Sequence, residues 1–595
     1  MEANILRFQN AASPAAVVGD DNSNLGSVGI IFHCRNTCRN KWLATTESTQ
    51  LMPFLEKSPR EAPSTTSPPT ATLKNGTYEG IHVASYNQDL FLGIPYAQPP
   101  VGDLRFRNPQ SLNTTFGLKN ATEYAASCYG YGNAKAWPYF LSEDCLTLNV
   151  VRPAGYTGDS KLPVAVWIHG GGYVMDYSAN GVYNLSFIVQ QSVRMDKPMI
   201  AVSFDYRLSA WGFLASDEIL QAGVANLGLK DQYLALRFIK ENIAAFGGDP
   251  DKITIWGESA GGGSVSYMAK AYEGRNEALF RAIIAESLYE PSHSANMTLP
   301  NMLYANLTAA VGCNATSDRL DCLRKVPADL LNSTIADIVP TTSFYPVVDG
   351  GIVPDLSSRL LAQGKFTKVP LLIGSNSDEG TSFSPSGISS DEEFTQSVRS
   401  GGPDANTTTI LMTLYPDIPS VGIPTGFHSR PDSTIGTQFK RSAAYYGDYT
   451  ILSQRRLRNQ AWYAHGVTSF AYQFDCPAVN NPAYIGTPHF AEVAYVFNNI
   501  QGLGYYSYQN PFTNATESMF QLANLVSRMW VSFIVDLDPN NHGVPGIERW
   551  PAYNNTDGYG EEFYLHPERS GVRLDNYRLE GTTFINEVQE TQYGR

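Results

Sequence analysis

Lys252-Ile253-Thr254-Ile255-Trp256 runs without interruption into Gly257-Glu258-Ser259-Ala260-Gly261-Gly262-Gly263. The first five residues are short, apolar and β-branched, as a strand buried on both faces requires, and Ser264 to Lys270 continue as a helix. A strand, a sharp turn and a helix within about twenty residues demand small residues on either side of Ser259, because the two elements approach closely and the serine is forced toward positive φ. Gly-x-Ser-x-Gly alone fits a plain tight turn as well as a nucleophile elbow. The remainder of the chain has to supply a base, an acid that orients it, and donors for a developing oxyanion.

Candidates for each lie in order along the chain. Leu162 to Ile168 reads as a second buried strand and ends in His169-Gly170-Gly171-Gly172-Tyr173, whose bare main-chain N–H groups are open to a substrate oxygen. His169 reads as structural, because that function rests on backbone amides. Met199 to Phe204 is a further strand, Asp231 to Phe246 an amphipathic helix, and Arg281 to Glu286 and Val369 to Gly374 later strands. This alternation predicts an α/β protein with a central, mostly parallel twisted sheet and helices on both faces. The Val369 strand leads into Ser375 to Gly380, which places an acid, Glu379, at the carboxyl edge of the sheet, where α/β proteins build their sites. Val467 to Phe474 is the last strong strand, and the loop after it holds His489, the histidine that follows a sheet-like strand downstream of both Ser259 and the acid. The order Ser259, Glu379, His489 is the nucleophile, acid, base order of α/β-hydrolases. Glu258 reads equally as an electrostatic tuner of the serine or as an anchor of the turn.

Composition narrows the classes. Hydrophobic residues make up 43% of the 595 residues and charged ones only 16%, which suits a chain with a large core, and a formal charge of −14 opposes binding to nucleic acid. No apolar run reaches the ~20 residues a membrane span needs. The cysteines form no repeated zinc pattern, and neither a metal nor an organic cofactor is expected. Two close pairs, Cys128 with Cys145 and Cys313 with Cys322, are spaced as local staples, and with Asn-x-Ser/Thr sequons such as Asn306, Asn314 and Asn406 they lean toward an oxidising, extracellular compartment. Residues 1–20 oppose that reading, since they hold no continuous apolar core of signal-peptide length, unless the natural start lies elsewhere. Residues 1–70 lack periodicity and are dense in Pro, Ser and Thr from Glu61 to Thr72. They are expected to form a flexible lead to a domain spanning 71–595.

From about residue 75 to 555 the chain resembles the type-B carboxylesterase/lipase family. The resemblance is carried by Phe91-Leu92-Gly93-Ile94-Pro95-Tyr96-Ala97, Ser142-Glu143-Asp144-Cys145-Leu146-Thr147-Leu148-Asn149, Asn226 to Gln232 and Phe246-Gly247-Gly248-Asp249-Pro250, together with the elbow and the glycine loop. It implies the α/β-hydrolase fold and Ser259, Glu379 and His489 as a triad. It also implies Gly171, Gly172 and Ala260 as oxyanion donors, disulfides Cys128–Cys145 and Cys313–Cys322, and an ion pair between Arg105 and Glu143. The expected substrates are small to medium apolar esters, with long-chain acylglycerols or a non-catalytic binding role as alternatives; the oligomeric state stays open. Only sixteen residues separate Cys128 from Cys145, too few for a long flap, so an open entrance is expected, rimmed by Tyr129, Tyr131, Trp137, Tyr139 and Phe140. One departure is Asp205 in Asp205-Tyr206-Arg207-Leu208, where the family more often has Asn; little catalytic effect is expected from it.

Overall fold

Side chains alternate across a strand, so a sheet covered on both sides must carry apolar residues at successive positions, and the central strands do. A computed structural model describes residues 67–132, 140–275, 277–292, 297–337, 344–506 and 509–595. The flexible lead expected for residues 1–70 falls, up to residue 66, outside the described residues, and the first described strand is Thr70–Leu73.

Eleven strands form the main sheet: β1 (Ile81–Val83), β2 (Gln88–Pro95), β3 (Thr147–Pro153), β4 (Leu162–Ile168), β5 (Ile200–Phe204), β6 (Gly248–Glu258), β7 (Ala282–Glu286), β8 (Leu371–Asn376), β9 (Ser469–Phe474), β10 (Glu561–Leu565) and β11 (Gly571–Leu574). Their spatial order is β11-β10-β9-β8-β7-β6-β4-β5-β3-β2-β1. From β10 through β5 every pairing is parallel, and the two edges are antiparallel. The sheet is therefore mixed but mostly parallel.

Helices cover both faces. Val164, Val166 and Ile168 of β4 point to one side, where α2 (Leu227–Asn242) and α3 (Ala260–Gly274, kinked at Ala271 to Glu273) supply Leu229, Leu236, Ile239, Val265 and Met268. Ala165 and Trp167 point to the other, against Ile188 and Val189 of α1 (Leu185–Arg194) and Leu522, Val526, Met529 and Phe533 of a 20-residue helix, Glu517–Asp536. No described helix is long and apolar enough to cross a membrane.

Helix starts differ from the sequence reading, and the reasons are tertiary. α2 begins at Leu227 rather than Asp231, because the left-handed Asn226 is clamped through its amide to both Val347 N–H and C=O. α3 begins directly after Ser259 rather than at Ser264. The three glycines of its first turn are poor helix formers, yet a Cβ at Gly261 would stand 2.0 Å from the Ile168 carbonyl oxygen, so only glycine lets the helix seat against β4.

A buried ionic network ties the C-terminal edge to the sheet. Arg455 and Arg456, in the helix Ser453–Ala464, converge on Asp575, and Arg455 also reaches Glu562 of β10, 2.9 Å away. All four side chains are buried, so each charge depends on its partners rather than on water. Asp575→Ala leaves two buried guanidinium groups short of a counter-ion. It is expected to lower unfolding free energy by about 3–5 kcal/mol, read from urea denaturation at neutral pH.

Candidate active site

Ser259 has φ 56° and ψ −122°, a conformation that L residues rarely adopt and that persists only where the surroundings dictate it. Those surroundings are backbone hydrogen bonds. Ser259 N–H donates to the Glu286 carbonyl (3.0 Å), and the Ser259 carbonyl accepts from Gly263 N–H (2.8 Å) and Tyr289 N–H (3.0 Å). The serine is thus braced by the end of β7 on one side and its own helix on the other.

The glycine loop lies against it. A Cβ at Gly170 would sit 3.1 Å from Ser259 Cβ, so the loop after β4 touches the elbow. Gly171 and Gly172 both have positive φ (84° and 63°), and their N–H groups take no hydrogen bond among the described residues. A side chain at Gly171 would run into the Met175 carbonyl oxygen at 2.3 Å. Ala260 is the first residue of α3, where an N–H has no partner in its own helix.

Glu379 starts a single 3-10 turn, Glu379–Thr381, just past β8. Its Oε2 is 2.6 Å from His489 Nδ1, and its Oε1 accepts from Asn376 N–H (2.7 Å) and Ser287 Oγ (2.5 Å). His489 turns its other nitrogen, Nε2, to within 3.3 Å of Glu258 Oε1. The imidazole therefore stands between two carboxylates, one on each nitrogen, with the Phe383 ring 4.8 Å away. Glu379 and His489 are joined directly. Glu258, next to Ser259 in the chain, faces His489 at 3.3 Å, and Ser259 Oγ makes no hydrogen bond among the described residues.

The loop carrying His489 is held by acids that the sequence reading did not single out. Asp378 Oδ2 accepts Thr487 N–H (2.8 Å), Asp378 N–H donates to the Thr487 carbonyl (3.1 Å), and Thr487 Oγ1 donates to Asp475 (3.2 Å). Burial pushes the Asp378 carboxyl up to about 7. Behind the imidazole lies a second missed pair. Glu492 accepts from Asn376 Nδ2 (2.6 Å) and faces Ser287 Oγ (2.9 Å), the same hydroxyl that reaches Glu379. One hydroxyl hydrogen cannot serve two carboxylates. Burial, and next the Glu379 charge, push the Glu492 carboxyl up to about 7, so a protonated Glu492 donates to Ser287 and Ser287 donates to Glu379. Glu286 adds a further buried acid, raised by burial and by Glu492, whose Oε1 accepts from the indoles of Trp256 and Trp530 (2.5 Å each). Burial, with Glu492 and Glu379 close by, pushes Glu258 well up as well. Glu492 lies three residues beyond His489 and Ser287 lies just past a strand end; these were the only local signals.

Other expectations are sorted by the structure. Cys128 is bonded to Cys145 and Cys313 to Cys322. Arg105 grips Glu143 through two hydrogen bonds of 2.5 and 2.7 Å. The apolar rim needs correction. Tyr131 is buried, bonding Asn332 and Trp211 through its hydroxyl, and Tyr129 stacks on Trp211, while Phe140 is 86% exposed. Trp137 and Tyr139 lie outside the described residues. His489 is also not alone in following a strand after the acid: His566 follows β10, but there it stacks on Tyr564 in the turn to β11.

A strained serine after the strand β6, a glycine loop after β4, and an acid–histidine pair from the ends of β8 and β9 define the carboxyl edge of an α/β-hydrolase sheet. A sequence model of the carboxylesterase family matches residues 67–579. The chain is 35% identical over 560 residues to Secreted lipase 1 of Botryotinia fuckeliana, covering 87% of this chain and 92% of that protein. It is 33% identical to Lipase 4 of Diutina rugosa, over 86% and 95% of the two chains. The crystal structure of Aspergillus niger EstA superposes with a TM-score of 0.77 at 30% identity, covering 89% of this chain and 99% of that one. The chain belongs to the carboxylesterase family and is a carboxylic ester hydrolase of that family.

Folded-state pKa values near 7 for Glu492 and Asp378 lie above the ordinary carboxyl range, so the folded protein holds protons that the unfolded chain releases at about pH 4. The stability they contribute is full below that range and is lost as pH rises through 7. The urea midpoint is expected to be higher at pH 5.5 than at pH 8, and Glu492→Gln, which keeps a donor for Ser287 at any pH, should flatten that difference.

Proposed function

We propose that the protein hydrolyses small to medium apolar carboxylic esters through an acyl-enzyme on Ser259. The observation that carries this reading is the 2.6 Å Glu379–His489 contact set beside a serine forced to positive φ. His489 Nε2 takes the Ser259 hydroxyl proton as Oγ attacks the ester carbonyl, while Glu379 holds the ring by Nδ1–H and stabilises the positive charge that develops on it. N–H groups of Gly171, Gly172 and Ala260 receive the oxyanion; loss of one such donor typically costs about 3–4 kcal/mol of transition-state stabilisation. The imidazolium then protonates the departing alcohol. Water, deprotonated by His489, attacks the acyl-serine carbonyl, and the carboxylic acid leaves as the proton returns to Ser259.

Glu258 Oε1 stands 3.3 Å from the nitrogen that moves the proton, and burial, with the Glu492 and Glu379 charges next, pushes its carboxyl toward the neutral form, which leaves Glu379 as the charge facing the ring. The short Cys128–Cys145 loop favours water-soluble esters. The exposed Phe140 on that loop, and relatives named lipases, support a second reading in which long-chain acylglycerols are taken at an interface. The intact acid–histidine pair speaks against a purely binding role. Two disulfides, exposed sequons at Asn306, Asn314 and Asn406, and relatives named secreted lipases support an extracellular location.

Ser259→Ala is expected to lower kcat on a short-chain ester by about 10⁴-fold or more, with an unchanged melting temperature, and to lose labelling by a fluorophosphonate probe. Near-normal turnover in that variant would refute the assignment. Comparing dissolved butyrate esters with emulsified triolein separates the two substrate readings: a sharp rate rise once the emulsion forms favours the lipase.

A further inference from the structure

Asp176 closes the far end of the glycine loop with φ at 81°, a conformation uncommon outside glycine that neighbouring groups have to hold. It follows a turn wound tightly on the first of the two bare glycines. The Gly171 carbonyl accepts from both Val174 N–H and Met175 N–H (3.1 Å each), and a Cβ on Gly171 would stand 2.3 Å from the Met175 carbonyl oxygen. Residues 171–175 therefore move as one unit, and Asp176 is where that unit joins the chain beyond it. Its middle is tied down from one direction: the Tyr173 carbonyl accepts Ser209 N–H (2.7 Å) and the Val174 carbonyl accepts Tyr131 N–H (2.8 Å).

The Asp176 carboxylate has two local partners and one distant one. Oδ1 accepts Tyr177 N–H and the Asn180 amide (2.9 Å each), which close the turn on itself, while Oδ2 accepts the Tyr183 hydroxyl (2.5 Å). Tyr183 is a fixed point. It ends the single 3-10 turn Gly181–Tyr183, which Asn180 starts by accepting Val182 N–H (3.2 Å), and the next residue, Asn184, caps α1 by accepting Ser186 N–H (3.0 Å). A Cβ on Gly504 would stand 2.3 Å from Val182 N, so the chain on the other side leaves this turn no room to shift. The Tyr183 ring is buried between Trp167 (centroids 4.9 Å apart) and Phe490 (5.9 Å, edge to face). Trp167 belongs to β4, from whose end the glycine loop springs, and Phe490 stands next to His489 with its own φ at 76°.

Oester hydrolysis needs the Gly171 and Gly172 N–H groups placed relative to the base as well as to the serine, and Tyr183 spans that distance in one side chain. We propose that Tyr183 is a positioning residue for the reaction proposed above, on whose reading of Ser259 and His489 this role rests. Its hydroxyl fixes the far end of the glycine loop, and its ring holds that end against the residue beside His489. Without the hydroxyl the ring still packs, but the loop keeps only the ties to Ser209 and Tyr131 and the local bonds of Asp176. The donors then lose their alignment with the oxyanion, while the bound ester, which carries no such charge yet, is held as before.

The test measures full-length wild type and Tyr183→Phe, which keeps the ring and removes only the hydroxyl. On a short-chain ester kcat is expected to fall roughly 10-fold while KM changes by less than about twofold. A trifluoromethyl ketone of matching chain length gives the second readout. Ser259 Oγ bonds to its carbonyl carbon, the serine proton passes to His489 and the carbonyl oxygen becomes the oxyanion, so its affinity should fall by about the same factor as kcat/KM. The secondary alcohol of the same ligand has no carbonyl to add to and should bind both proteins alike. In an Asp176→Ala background, removing the hydroxyl should cost nothing further. Equal kcat and equal ketone affinity in wild type and Tyr183→Phe overturn the proposal. So does an undiminished effect of Tyr183→Phe in the Asp176→Ala background, or equal weakening of ketone and alcohol, which marks a general loosening of the site. A wild type that neither hydrolyses esters nor takes up the ketone refutes the hydrolase reading, and this role falls with it.

Discussion

Ser259 can hold φ 56° only because α3 starts immediately behind it and presses against β4. The contact that permits this is the approach of Gly261 to the Ile168 carbonyl, where a single Cβ would stand at 2.0 Å. That contact links the serine to the glycine loop, because Ile168 is the last residue of β4 and His169 the first of the loop. A second brace, Ser259 N–H to the Glu286 carbonyl, links it to β7, and Ser287 next along that chain reaches Glu379. Strand ends β4, β6, β7 and β8 are thus coupled through backbone contacts and one side-chain hydrogen bond, none longer than an ordinary hydrogen bond. Strain of about 1–3 kcal/mol at one residue is sustained by a sheet that cannot relax it without breaking register.

The site assembled on this frame is crowded with acid. Glu258, Glu286, Glu379 and Glu492 are all buried around one imidazole. Four buried negative charges would repel one another strongly, and the fold resolves this by keeping some of them protonated and supplying neutral donors such as the Trp256 and Trp530 indoles and the Asn376 amide. A protonated Glu492 is then not a spectator. It supplies the hydrogen that frees Ser287 to donate to Glu379, so the orientation of the imidazole depends on a proton one shell farther out.

The sheet was legible because burial on both faces writes itself into continuous β-branched runs; β4 and β6 are read within a few residues of their ends. The antiparallel edges were not, since a short edge strand such as Ile81–Val83 carries no periodic signal that tells direction. Helix starts failed where distant partners decide them: Asn226 caps α2 through Val347, and the glycines of α3 are helical only because β4 lies against them. In the candidate site, the contact between Glu379 and His489 was legible from chain order at sheet ends. Ser287, Glu492 and Asp378 were not, because their roles consist of contacts among segments some 90 to 200 residues apart, as in the 205-residue separation of Ser287 and Glu492.

Asp205 shows how a change that looks neutral in sequence acquires physical content in three dimensions. Asp205 holds the stem of the glycine loop through its two bonds to Ser178, and the acid cluster around His489 holds the base through Glu379, Ser287 and Asn376.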